Sequence, residues 1–155
     1  MRLVAIPFWQ RLLALLTYLL PWSDAVRFGR HLYNLVPGLA MVTLPALPVA
    51  LVEQTVPFGG LILFLALFLG VVRNPQVPGY IRFNALQAIL LDIVLVVVSL
   101  AFQLLGLDKL GFAGRTLENT VFLGMLVLMV FALVQCLRGK EADIPALSEA
   151  VRMQL

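Results

Sequence analysis

Between Arg82 and Gly106 the chain is apolar almost throughout, yet five polar side chains sit inside the run: Asn84, Gln87, Asp92, Ser99 and Gln103. On a helix turning roughly 100° per residue, Asp92, Ser99 and Gln103 fall within about 40° of one another, with Asn84 and Gln87 on the flank toward Arg82. Asp92 is the chemically decisive member. With Arg82 at a membrane edge and ~1.5 Å of rise per residue, it lies roughly 15 Å deep. A carboxylate there costs about 3 kcal/mol on insertion scales. Three chemistries answer that cost: a neutral, hydrogen-bonded acid that fixes helix packing, an acid facing a partner subunit, or an acid lining a path for ions or polypeptide. Thr17 and Tyr18 lie about 9–10 Å past Arg11 on the first apolar run, so a hydroxyl from one of them is the expected local partner of Asp92.

Enzyme signatures are absent from the sequence. It contains no G-x-S-x-G, no H-E-x-x-H, no paired cysteines and no P-loop. No second carboxylate is expected inside the membrane to form an acid/base pair with Asp92. His31 is the lone histidine and reads as an interfacial side chain, not a metal ligand. Cys136 is the lone cysteine and reads as a small apolar packing residue, with no internal disulfide to make. The expectation is therefore no catalytic residue, no metal and no cofactor.

These residues need helices in lipid to position them. Hydrophobic residues make up 62% of the 155-residue chain and charged residues 12%, far from the roughly 45–50% and about 25% of soluble domains. That reads as one all-α integral membrane domain, 1–155. The net charge of +3 comes from basic residues scattered between apolar runs; they make no basic face, so nucleic acid is not an expected partner. Four spans are predicted, at about 7–22, 58–72, 82–106 and 120–137. Pro37, Pro45, Pro48 and Pro57 break the stretch between the first two, so Leu35 to Val52 is expected to be interfacial or re-entrant, with a fifth, broken span as the alternative. Pro75, Pro78 and Gly79 make a tight turn between spans two and three, and Gly139 is a candidate C-cap for span four. In the tail, Asp143 is a candidate N-cap with Pro145 in the first turn. Ile144, Leu147, Val151 and Leu155 form one apolar stripe, expected to lie flat on the membrane. Seven basic residues (Arg2, Arg11, Arg73, Arg82, Arg138, Lys140 and Arg152) fall on the side of both termini and four on the other, which places both termini in the cytoplasm or stroma.

Leu12 to Leu20 is followed by Pro21-Trp22-Ser23-Asp24 and not by a small-residue cleavage site, so it reads as mature protein, and no organelle transit peptide is visible.

Several blocks also resemble a known family. They are Tyr18-Leu19-Leu20-Pro21-Trp22-Ser23-Asp24-Ala25 with Phe28-Gly29-Arg30, Val71-Val72-Arg73-Asn74-Pro75, the run from Arg82 to Ile93, and Asp143-Ile144-Pro145 with Ser148-Glu149-Ala150-Val151. Together they are similar to the 20-kDa subunit family of the translocon at the inner envelope membrane of chloroplasts. The resemblance implies a four-helix protein with both ends on the stromal or cytoplasmic side, working with other membrane subunits, lipids and preproteins. It carries no catalytic residue. Without a transit peptide, a cyanobacterial or plastid-encoded member is expected, in a plastid inner envelope or a cyanobacterial plasma or thylakoid membrane. Two other readings stay open: an accessory or assembly subunit of a photosynthetic membrane complex, and a small ion or solute transporter using Asp92.

Overall fold

The computed structural model describes residues 5–144 and 147–155, and every regular element among them is helical. Arg2 and Pro145 lie outside the described residues. The two long helices form the centre: α6, Gly79–Leu105, and α7, Phe112–Leu137. Both are predominantly apolar and free of proline, and glycine closes each. Gly106 takes φ 62° and donates back to the Phe102 carbonyl. After α7, Gly139 takes φ 70° while its N–H bonds Cys136 and that of Lys140 bonds Gln135, the paired pattern that satisfies the last carbonyls of a helix.

The start of the chain climbs beside α6 as a broken helix, α1 (Phe8–Thr17) and α2 (Leu19–Ala25) followed by a 3₁₀ turn at Val26–Gly29. Pro21 causes the break. It has no N–H to offer the Thr17 carbonyl, and its ring crowds that oxygen. The Thr17 hydroxyl turns back onto the Ala14 carbonyl at 2.6 Å. Tyr18 meets Asn84 near one end, and Phe28 packs edge-on against Phe102, ring centres 5.6 Å apart, near the other. The stretch from Phe8 to Gly29 therefore matches the height of α6, longer than the predicted 7–22. Arg11 Nη1 donates to the Leu137 carbonyl at 3.0 Å, a cation on the negative end of α7.

The span assignment changes accordingly. Among the described residues, three helical stretches are long and apolar enough, by length and composition, to cross a membrane: Pro37–Thr55, α6 and α7. Pro37–Thr55 joins a 3₁₀ run, Pro37–Ala46, to α4, Leu47–Thr55; the prolines tighten the helix instead of ending it. Val42 and Glu53 of this stretch bond Trp22 and Ser23, two adjacent residues of α2, so it wraps across α2. The predicted span 58–72 is a short helix, α5 (Gly59–Leu67) running into a π-helical turn at Phe68–Val72. The fourth helix begins at Phe112, not Thr120, because Gly111 (φ 66°) sets its start. The link before it is short, and α7 passes so close to it that a Cβ on Gly114 would run into the Leu107 carbonyl. Gly114→Ala should therefore cost about 1–3 kcal/mol as an overpacked contact, read as a lower unfolding midpoint in detergent.

The tail departs from its predicted place. The last helix, α8 (Leu147–Gln154), packs on α6, with Ser148 and Val151 fully buried and Ile144 nearly so. Its apolar stripe faces protein. Asp143 accepts from Arg152 at 3.4 Å, Glu141 accepts from the same guanidinium at 2.9 Å, and Arg152 sits over the Phe83 ring. Hydrogen bonding to Glu141 raises the Arg152 guanidinium further above its usual range.

Candidate functional site

The five polar side chains predicted as one stripe are divided by the structure among three clusters along α6. Near its start, Asn84 and Gln87 are fully buried. The Tyr18 hydroxyl donates to Asn84 Oδ1 at 2.8 Å and accepts from Gln87 Nε2 at 3.0 Å. Asn84 Nδ2 donates to the Tyr80 carbonyl one turn back, at 2.8 Å. Gln87 also reaches the tail: Nε2 donates to the Ala142 carbonyl at 2.9 Å, and Oε1 accepts from Ser148 Oγ at 2.6 Å. The Ser148 oxygen in turn accepts from the Ile144 N–H at 2.7 Å. Cys136, fully buried, rests its sulfur 3.7 Å from Asn84 Oδ1. This cluster ties α1, α6, α7 and the tail together.

The expected hydrogen bond from Thr17 or Tyr18 to Asp92 is not formed, since both hydroxyl protons go elsewhere, to Ala14 and Asn84. The level match was misjudged: Tyr18 stands beside Asn84 and Gln87, about a turn and a half or more below Asp92. At the height of Asp92 the chain supplies Asp24 from α2 and Glu53 from α4, and both carboxyls act on Asp92 electrostatically, as does Arg27. Asp24 is paired with Arg27 at 2.6 Å. Glu53 accepts from Ser23 Oγ at 3.3 Å. Asp92 is only 6% exposed, and its Oδ1 is buried without a hydrogen-bond partner. All three acids line a cavity of about 570 Å³. Asp92 thus shares its cavity with two further acids that the reading of α6 alone did not supply. Sequence reasoning missed Asp24 and Glu53 because Pro21 and the later prolines read as the ends of helices; the signal available was that two more acids stand in otherwise apolar surroundings.

Near the far end of α6, Ser99 is half-buried and Gln103 exposed. They line a second cavity, about 340 Å³, with Arg30, Asp108 and Glu118. Glu118 Oε1 accepts from Arg30 Nη2 at 2.7 Å and its Oε2 from Arg30 Nε at 3.1 Å, and His31 Nε2 lies 2.9 Å from the same Oε2. His31 is thus no solitary interfacial ring. The fork from Arg30 explains how α7 carries an acid in its first half without ending there. Glu118→Gln keeps the shape and removes the charge. It should cost about 1–2 kcal/mol, because Arg30 is 60% exposed and water screens part of the pair. Faster proteolysis around Arg30 would report the loss. Among the described residues no three His, Cys, Asp or Glu side chains come together as metal ligands.

Compared with known proteins, residues 5–151 match the family described as chloroplast import apparatus Tic20-like. The chain belongs to the Tic20 family. A Tic20 family protein of Synechocystis sp. is 37% identical over 147 residues, covering 94% of this chain and 92% of that one. The protein TIC 20-II, chloroplastic, of Arabidopsis thaliana is 32% identical over 153 residues, 96% of this chain and 74% of its own length. The Tic20 family protein Ycf60 of Porphyra purpurea is 30% identical over 155 residues, covering 94% and 75%. Tic20 relatives thus come from cyanobacterial, plant and red algal sources, and with the long apolar helices they mark this Tic20 chain as a membrane protein associated by family with protein transport.

Proposed function

We propose that this chain is a non-enzymatic membrane subunit of a protein-translocation complex of the preprotein-import type. The observation that carries the reading is the family match across residues 5–151. The geometry supports the word subunit. The cavities along α6 hold about 340 to 570 Å³, the size of small-ligand pockets and too small to pass an extended polypeptide. Large apolar side chains stand exposed along α5, α6 and α7, among them Leu61, Val97, Leu104 and Val127, as surfaces for lipid or other membrane subunits. In our reading the whole chain is one domain with four crossings: the broken helix 8–29, the short helix 59–72, α6 and α7, with the Pro37 to Ala46 stretch re-entrant. The charge bias places both termini on the stromal or cytoplasmic side.

Purification in gentle detergent, followed by identification of what comes with the chain, tests the role. Co-purifying membrane subunits that crosslink to an arrested preprotein support it, and a solitary chain that never crosslinks sinks it. Single cysteines at Lys109 and Lys140, labelled from either side, test the topology. A second reading, ion or solute transport through Asp92, is favoured by its partnerless buried Oδ1. Under that reading Asp92→Asn abolishes flux in reconstituted vesicles while assembly persists.

A further inference from the structure

We infer that the cavity between α2, α4, α5 and α6 is a binding site for one organic cation, an ammonium or guanidinium group on an apolar stem. Asp24, Glu53 and Asp92 line it, and the fixed positive charge acting alongside them is Arg27, which is already paired with Asp24. Three carboxyl groups thus face one guanidinium in a partly enclosed apolar setting, where a cation placed beside them is worth more than in water and favours their ionised form. Asp92 has the mark of an unfilled position: it is 6% exposed, lines the cavity, and leaves Oδ1 with no hydrogen bond, a costly state for a buried acceptor.

The shape selects the kind of cation. The carboxyls do not converge closely enough to ligate a metal, whereas hard divalent ions need oxygen ligands packed at about 2.0–2.6 Å. The remaining walls are Leu20, Phe58, Leu61, Phe64 and Val96, a lining for methylenes with two aromatic rings able to face a cation. Phe58 is held at φ 56° with its ring 82% exposed at this cavity. A bulky residue in the left-handed region is strained, and such strain gathers at ligand sites. Gly59 allows the approach, since a Cβ there would collide with the Val52 carbonyl.

The inference is independent of the import reading. Its test uses the full chain in detergent with hexylammonium as probe, followed by saturation-transfer NMR and by the thermal unfolding midpoint. Hexylammonium should show saturation transfer, be displaced by butylguanidinium, and raise the midpoint by several degrees beyond matched sodium chloride. Hexanol should do neither. The Asp92→Asn, Glu53→Gln double variant should lose the shift, while Glu149→Gln keeps it. If the double variant does not fold, the displacement series on the unaltered chain decides alone. Equal displacement by hexanol, or displacement by magnesium or calcium below the concentration of organic cation needed, overturns the site. Competition by a leucine-flanked lysine peptide would assign the cation to a polypeptide, and competition by phosphatidylethanolamine in nanodiscs to a lipid; either outcome supports the shared chemistry.

Discussion

Gln87→Leu should free the C-terminal helix from the bundle while leaving the long helices in place. Gln87 is fully buried and uses both ends of its amide, donating to Tyr18 Oη and the Ala142 carbonyl and accepting from Ser148. Leucine fills nearly the same volume but pairs with none of them. Ser148 Oγ still reaches the Ala142 carbonyl at 3.1 Å, so the loss is of the two bonds to Gln87. Their removal costs about 1–3 kcal/mol in all against the docked tail, a large part of what the burial of Val151 and Ile144 contributes. Hydrogen exchange should show residues 147–154 losing protection, with protease cutting between Lys140 and Leu147. Ser148→Ala removes the hydroxyl that Gln87, the Ile144 N–H and the Ala142 carbonyl share and should give an effect of the same kind. Unchanged exchange in the Gln87 variant would mean that packing, not this amide, holds the tail.

Phe122→Ala should be the most destabilising single truncation in the bundle. Phe122 is fully buried, with its ring centre 5.9 Å from Trp22 and 5.5 Å from Tyr33, and it presses on Gly29. Trp22 is pinned from its other side by a 2.8 Å bond to the Val42 carbonyl, so the site cannot easily collapse. In a water-soluble core such a change costs about 3–5 kcal/mol. In lipid the transfer part shrinks, because acyl chains are as apolar as the core, but the cavity and lost dispersion contacts remain. About 3 kcal/mol is the expected loss, measured as a shift in denaturing-detergent titration. Phe122→Leu should restore most of it.

Much of the architecture was legible because lipid-facing helices announce themselves by length. Gly139 ended α7 as expected, and the Pro75–Gly79 turn stands where its residues required it. What failed had one cause, the assumption that charge and proline mark the ends of helices. Arg115 and Glu118 looked like a link, yet Arg30 reaches across from another segment to pair with Glu118, with His31 beside it. Pro45 and Pro48 looked like breaks, yet a 3₁₀ run takes up the first and the opening turn of α4 the second. Asp92 stood out from its own helix alone. Its companions Asp24 and Glu53 could not be read the same way, because only tertiary packing brings them to one height.

The shortness of Gly59–Val72 has a further consequence. At roughly 1.5 Å per residue it rises about 20 Å, while the hydrocarbon layer of a bilayer is about 30 Å thick. With this helix as one of the four proposed crossings, the acyl chains on that flank would bend inward or the leaflets pinch, at a fraction of a kcal/mol for each ångström of mismatch. That elastic penalty falls when a neighbour with an equally short helix moves alongside and shields it. The bilayer itself would thus draw molecules to this side, before any residue on either surface has touched another.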